Sequence, residues 1–205
     1  NVSKTDEDMS ILITGYSGYI GKLLMQKLRN SKKDVLTMGR NRHKKPDIYV
    51  KDIFSVNYNS WIKILTNVET VVHLAWIATP GIYQNSLENE ICYTGSKTLI
   101  DACQFSKSVR NVVIAGSAVD HVGKVDQNDS EYINNYAKYK SELYNYAYKK
   151  IPNRLIWPRI HYIYGEHEPS GKLFKHIKYN ITELSEVLLE NPNIELDFVG
   201  EDIVA

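Results

Sequence analysis

The sequence predicts an α/β domain built on a doubly wound parallel sheet, and three observations carry that prediction. Short apolar runs alternate with longer amphipathic ones along most of the chain. Two of the short runs, "TVVHLA" and "NVVIAG", suit strands covered on both faces, which means parallel pairing with crossover helices. The first run, "ILIT", leads into "GYSGYIG", whose glycines Gly15, Gly18 and Gly21 stand where a strand would turn into a helix.

The elements follow in order. Residues 1–9 are polar and read as a disordered leader, with Met9 immediately before the first strand. A strand at 10–14 enters the glycine turn, and a helix at 19–30 leaves it. The run at 35–38 is a strand ending at a basic loop, and 48–50 is a shorter one. A helix over 58–66 precedes the strand 70–75, and the long helix 85–107 precedes the strand 111–115. A helix over 134–150, a strand at 154–157 and a helix over 171–190 complete the pattern. Residues 10–165 form one ligand-binding sheet domain, and 166–205 the start of a smaller C-terminal substrate domain.

Composition narrows the function. With 205 residues, 43% of them apolar and 24% charged, the chain has the make-up of a soluble globular protein. Its 25 basic and 24 acidic side chains leave a net charge of +1, so no global field recruits nucleic acid or an anionic membrane. No apolar run approaches the roughly 18 residues that span a bilayer, and no signal peptide is visible. The expected location is cytoplasmic. Cys92 and Cys103 share one helix, too far apart to bond each other, and read as free thiols. The six histidines are scattered and no cluster has metal-ligand spacing, so no metal is expected. Glycosylation patterns at Asn128 and Asn180 carry little weight without a secretory signal.

The glycine loop is what a dinucleotide needs. Gly15 permits the tight turn, Gly18 lets a pyrophosphate touch the main chain, and Gly21 lets helix and strand pack closely. Ser17, Tyr19 and Ile20 complete the cofactor contacts, because a helix N-terminus offers unpaired N–H groups and a partial positive charge. The phosphate loop of nucleotide triphosphatases does not fit: Tyr16 stands where it needs glycine, and Leu23 where it needs Ser or Thr. The domain is therefore of Rossmann type. An NAD-selective site ends its second strand with a carboxylate, but here Gly39 is followed by Arg40, Arg42, His43, Lys44 and Lys45. A guanidinium beside a missing carboxylate suits a 2′-phosphate, so NADP(H) is preferred and NAD is the alternative.

A redox cofactor needs an acid/base partner. Tyr-x-x-x-Lys places phenol and ammonium on one helical face, and the charge is expected to lower the phenol pKa. Among 15 tyrosines the pattern occurs at Tyr93/Lys97, Tyr136/Lys140 and Tyr146/Lys150. Only Tyr136 opens a helix soon after a strand that delivers a serine, Ser117, to its carboxyl end. Ser117, Tyr136 and Lys140 are the candidate catalytic residues: Ser117 bonds the substrate oxygen, Tyr136 transfers the proton, and Lys140 also holds the cofactor ribose.

Taken together, "TGYSGYIG", "KDI" at 51–53, "HLAW" at 73–76, "AGS" at 115–117, "YAKYK" at 136–140 and "PRIHYIYG" at 158–165 resemble the extended short-chain dehydrogenase/reductase superfamily, in its NAD(P)-dependent nucleotide-sugar epimerase/dehydratase/reductase group. The resemblance runs from residue 11 to about 200. It implies that Asp52 and Ile53 contact the adenine and that Leu74, Ala75 and Trp76 line the cofactor. It also implies a homodimer through helices 85–107 and 134–150, with Tyr139, Leu143, Tyr146 and Ala147 forming an apolar stripe that core packing explains equally well. The family usually carries Asn where this chain has Cys92, so a supporting hydrogen bond is expected to be missing. It often has Asn at Tyr162, where the sugar-nucleotide phosphates are met. The Thr-Asp-Glu signature of 4,6-dehydratases is absent, since Ser117 is followed by Ala118, Val119, Asp120 and His121. Most members are longer than this chain, which ends at "FVGEDIVA", so it is either truncated or short of a complete sugar pocket.

Three functions follow. The first is an NADPH-dependent reductase of a nucleotide-linked 4-keto-6-deoxysugar, with a place in polysaccharide biosynthesis. The second is a nucleotide-sugar 4-epimerase that retains NAD. The third is a dinucleotide-binding protein or fragment without turnover.

Overall fold

The computed structural model describes residues 10–28, 34–120, 134–170, 172–183, 186, 193 and 195–205. The expected leader 1–9, the end of the first helix, His121, Asn128 and much of the stretch 184–194 lie outside the described residues.

Ser10–Thr14 forms β1, with Leu12 and Ile13 fully buried, and the glycine turn carries the chain into α1 (Tyr19–Leu28). β2 (Val35–Gly39) and β3 (Ile48–Tyr49) follow, then α2 (Tyr58–Ile64), β4 (Val68–His73) and α3 (Glu88–Phe105). β5 (Asn111–Ile114) and β6 (Gly116–Ser117) precede α4 (Asn135–Lys150). The remainder is β7 (Leu155–Ile156), β8 (Arg159–Ile160), β9 (Tyr162–Tyr164), α5 (Leu173–Thr182), β10 (Phe198–Gly200) and α6 (Glu201–Val204).

Six strands pair in the order β3-β2-β1-β4-β5-β7, every pair parallel. The order reverses between β1 and β4, and there the carboxyl ends Thr14 and His73 lie side by side. A sheet of this order opens a crevice at that point. The core is conventional: Leu12, Met38, Val71, Val112 and Ile114 of the sheet pack against Trp61, Leu99, Ile100 and Leu143 of the helices. This is the doubly wound α/β domain that the apolar runs predict.

Local chemistry sets the helix ends. Asn57 accepts the Ser60 N–H at 2.9 Å to start α2, and Asn134 accepts the Ala137 N–H at 2.9 Å to start α4. The expected helix 85–107 begins only at Glu88, because Tyr83–Asn85 turns as a separate 3₁₀ segment. The helix expected over 58–66 likewise tightens into a 3₁₀ turn at Leu65–Asn67. The pairs β6/β8 and β9/β10, and α6, were not expected; each strand is two or three residues long, too short for a periodic signal. Leu143 and Ala147 are fully buried within this chain's own core, so that half of the apolar stripe does not face outward. Among the described residues no helix is long and apolar enough to cross a membrane, and no cluster of His, Cys, Asp and Glu could hold a metal ion.

Candidate active site

The glycine loop closes against β4. Gly15 has φ +73°, and a Cβ there would stand 2.6 Å from the Ala75 nitrogen, so any side chain is both strained and obstructed. A Cβ on Gly21 would collide with the Gly15 carbonyl oxygen and the Tyr16 backbone. A Cβ on Gly18 would meet only the Gly15 oxygen, at 3.3 Å; with Ser17 it is exposed. Two glycines thus serve packing and the third leaves an open side. The first turn of α1 carries no acidic side chain to neutralise its N-terminal partial charge. This cradle fits a diphosphate.

The end of β2 is shaped by Tyr16. Its hydroxyl donates to the Lys44 carbonyl at 2.8 Å, and its ring lies 2.9 Å from where a Gly39 Cβ would be. A carboxylate-bearing side chain at 39 would meet that ring, which supplies a steric reason for the missing acid. Arg40 is exposed beside it, while Arg42 packs its guanidinium 4.2 Å over the Tyr49 ring. Asp52 accepts the Phe54 N–H at 3.1 Å and the Ser55 hydroxyl at 2.5 Å. The Ile53 side chain is buried in the core, which the adenine expectation had not anticipated.

At the crevice a chain of hydrogen bonds joins β1, β4 and α3. The Ser96 hydroxyl donates to the Cys92 carbonyl at 2.6 Å, so its oxygen is left to accept from His73 Nε2 at 2.9 Å. His73 Nδ1 then accepts from the Thr14 hydroxyl at 2.7 Å, and the Thr14 oxygen receives the Ala75 N–H at 3.4 Å. Acceptance at Nδ1 needs His73 neutral; burial, with the nearby Lys140 charge, holds its pKa down to about 3. Leu74 and Ala75 are thereby fixed against Thr14. The Ile77 N–H donates to Cys92 Sγ at 3.3 Å. Sulfur at Cys92 thus accepts one hydrogen bond, and burial keeps the thiol protonated, with its pKa raised to about 11.

The three candidate catalytic residues converge. Ser117 stands against the Tyr136 phenol, and Lys140 is buried beneath with its Nζ donating to the Ala115 carbonyl at 2.7 Å. The same Nζ lies 3.9 Å from the centre of the Trp76 ring and 5.8 Å from that of Tyr136. The Tyr136 ring is edge-on to Tyr83 at 5.0 Å and to Trp76 at 6.2 Å. The expected lowering of the phenol pKa does not occur. Burial pushes Tyr136 up to about 12, with Tyr83 and Asp120 adding to it and Ser117 opposing. Helical spacing puts Lys140 on the same face, but its ammonium is turned to Ala115 and Trp76. Burial in turn lowers Lys140 to about 7, with Cys92 and Asp120 acting in the opposite direction. The rival Tyr146 is bonded to Asp101 at 2.6 Å and has a packing role.

Sequence reasoning missed the residues behind this front. Asp120, 3% exposed, accepts the Ser117 N–H at 3.0 Å, the Trp157 Nε1–H at 2.7 Å and the Arg159 Nε–H at 2.7 Å. A lone acid closing an apolar strand, with an arginine in the next strand run, was the available signal. Asn89, fully buried, accepts the Trp76 Nε1–H at 2.9 Å and donates to the Tyr83 and Ser86 carbonyls at 2.6 and 2.9 Å. Nothing in the spacing marks it.

A six-strand parallel sheet that reverses at its centre, with a glycine turn opening α1 there, defines a Rossmann-type α/β protein. The family profile described as "NAD dependent epimerase/dehydratase family" matches residues 11–199, and the chain belongs to that family. Among curated proteins, the dTDP-6-deoxy-L-talose 4-dehydrogenase (NAD(+)) of Aggregatibacter actinomycetemcomitans is 26% identical over 211 residues, 93% of this chain and 75% of that one. Among solved structures, a mutant UDP-glucuronic acid 4-epimerase from Bacillus cereus, in complex with UDP-4-deoxy-4-fluoro-glucuronic acid and NAD, shares 18% identity with a TM-score of 0.70, over 95% of this chain and 70% of that one. The UDP-N-acetylglucosamine 4-epimerase of Bacillus cereus shares 20% identity with a TM-score of 0.73, over 95% of this chain and 68% of that one. These two likenesses show the fold. The chain is an oxidoreductase or epimerase of the extended short-chain dehydrogenase type.

Proposed function

We propose that the protein interconverts the 4-keto and 4-hydroxy forms of a nucleotide-linked 6-deoxyhexose, with NADP(H) in preference to NAD(H). The observation that carries the reading is the meeting of Ser117 and Tyr136, over buried Lys140, at the crevice the glycine loop opens. The likeness to a 6-deoxy-L-talose 4-dehydrogenase supports the substrate class.

The dinucleotide, when bound, supplies the hydride for reduction and takes it in oxidation. Gly15, Gly18 and Gly21 with the start of α1 would hold its diphosphate. As the carbonyl at C4 gains a hydride and its oxygen gains charge, Tyr136 donates its phenolic proton to that oxygen. A phenol held near pKa 12 is fully protonated at neutral pH, as an acid must be. The Ser117 hydroxyl hydrogen-bonds the same oxygen, and the tyrosinate regains its proton from water. Dehydration is disfavoured, because Asp120, the acid whose field reaches both Tyr136 and Lys140, is committed to Arg159 and Trp157.

Loop chemistry at Gly39 and Arg40 favours NADP(H), whereas the curated relative's name specifies NAD(+). The test is oxidation of dTDP-6-deoxy-L-talose followed at 340 nm with each dinucleotide, beside a 4-epimerase assay on UDP-sugars. Turnover with NADP⁺ that Tyr136→Phe lowers by about 10²–10⁴-fold supports the reading. Epimerisation without net change in dinucleotide, or no turnover, overturns it.

A further inference from the structure

Trp76 sits in a loop end where an aromatic side chain does something no small residue could do. Its indole face covers the Lys140 ammonium at 3.9 Å, while its Nε1–H is tied to Asn89 at 2.9 Å. Asn89 is fully buried on α3, and its two amide hydrogens serve the Tyr83 and Ser86 carbonyls. One side chain thereby fixes both aromatic walls around Tyr136, since the Tyr83 ring lies 5.0 Å from it and the indole 6.2 Å. From the other side Asn135 of α4 donates to the Asn85 carbonyl at 3.1 Å, closing the turn down.

The geometry also explains where Lys140 points. An ammonium has three hydrogens. One is spent on the Ala115 carbonyl and one faces the indole, an attraction that strengthens when the cation is taken out of water. Without the ring, only the Ala115 hydrogen bond would hold the ammonium of a flexible four-carbon stem back from solvent.

We propose that Trp76 is a positioning residue for Lys140, an aromatic clamp anchored by Asn89 that holds the ammonium under Tyr136 and away from water. Its catalytic consequence rests on the oxidoreductase reading above; the clamp itself does not. Among the described residues, the charged and titratable groups facing Lys140 are Cys92 from α3, Asp120 after β6, His73 from β4 and Tyr136 on its own helix.

Two readouts separate the clamp from the function. The first is spectroscopic and needs no turnover. In lysine-labelled protein, ring current from the indole should move the Hε protons of one lysine upfield of all others. That signal should vanish in Lys140→Met and in Trp76→Met, and persist, reduced, in Trp76→Phe. Trp76→Met keeps most of the apolar volume, and Trp76→Phe keeps a ring face while losing the bond to Asn89. Wild-type protein with no upfield lysine overturns the clamp without any variant. The second readout is kinetic, in the dTDP-6-deoxy-L-talose assay. At saturating substrate and dinucleotide Trp76→Met should lower kcat about ten-fold or more, beyond whatever it costs in KM and dinucleotide Kd, and Trp76→Phe should recover part of that kcat loss. Equal losses in Trp76→Met and Trp76→Phe, or a loss confined to dinucleotide Kd, overturn the positioning role. A wild type that shows the upfield lysine but no turnover leaves the clamp standing and removes only the activity.

Discussion

His73 provides a prediction whose size does not depend on how deeply its pKa is depressed. The ring is buried, accepts from Thr14 and donates to Ser96, and its pKa falls from 6.5 to about 3. The unfolded chain therefore binds a proton at this residue, and the folded chain does not, across the interval between those values. Stability is then fully present above pH 6.5 and is lost as pH falls through it. At pH 5.0 the unfolded imidazole is favoured by about 1.5 pH units, or about 2 kcal/mol, and any folded pKa below about 4 gives the same figure. The experiment compares urea unfolding at pH 7.5 and 5.0 for wild type and for His73→Gln, whose amide offers one acceptor and one donor. The variant begins less stable, because its bonds to Thr14 and Ser96 are imperfect. Wild type should nevertheless lose about 2 kcal/mol more than the variant between the two pH values, other titrating groups cancelling in the comparison. Equal losses would mean that the imidazole already exchanges its proton in the folded state, and the neutral hydrogen-bond chain would be wrong.

Other perturbations probe the remaining parts. Gly15→Ala, with φ +73° and the Ala75 nitrogen 2.6 Å from the new Cβ, should cost about 2–4 kcal/mol, read as a fall in Tm. Asp120→Ala strips partners from the Ser117 N–H, Trp157 and Arg159; because the arginine is 38% exposed and can turn to water, a loss of about 2–3 kcal/mol is expected in chemical denaturation. Arg40→Ser should weaken NADPH binding by about 10–100-fold and NADH binding by less than about three-fold in calorimetric titration; equal losses would remove the 2′-phosphate argument. Lys140 is lowered from 10.5 to about 7, so the unfolded chain holds the extra proton between those values and stability rises with pH across them. Wild-type Tm should therefore climb more steeply than that of Lys140→Met in that window.

The sheet was legible because its strands are apolar and its helices amphipathic, and buried parallel strands admit few other patterns. Five of the six paired strands begin within a residue of where the runs begin, and the exception, β4, starts at Val68 because Ser10 pairs with it one register step away. The glycines were legible for the same reason: their spacing has a steric meaning, and the Gly15 and Gly21 contacts show it. What could not be read was the direction of a side chain. Tyr136 and Lys140 share a helix face, yet the ammonium turns to Ala115 and Trp76, so charge proximity inferred from spacing gave the wrong sign for the phenol. Asn89 was invisible and Asp120 left only a lone acid after an apolar strand, because hydrogen-bond hubs are made by tertiary contact and leave no period in the chain.

The protons at the crevice can be accounted for residue by residue, and the account constrains how such a site would work. At neutral pH burial keeps His73 without a proton, and keeps Cys92 and Tyr136 with theirs. The Asp120 charge is matched by Arg159 at 2.7 Å. Lys140 is the group of this set whose titration falls near neutrality. A rise in pH through 7 thus removes the crevice's cation while it raises the stability of the fold, because the buried ammonium is a burden when charged. In the proposed reductive direction an anionic oxygen develops at Tyr136, and loss of that cation opposes it. Reductive turnover and thermal stability should consequently move in opposite directions above pH 7. That divergence follows from taking a lysine out of water at the point where the chemistry needs its charge.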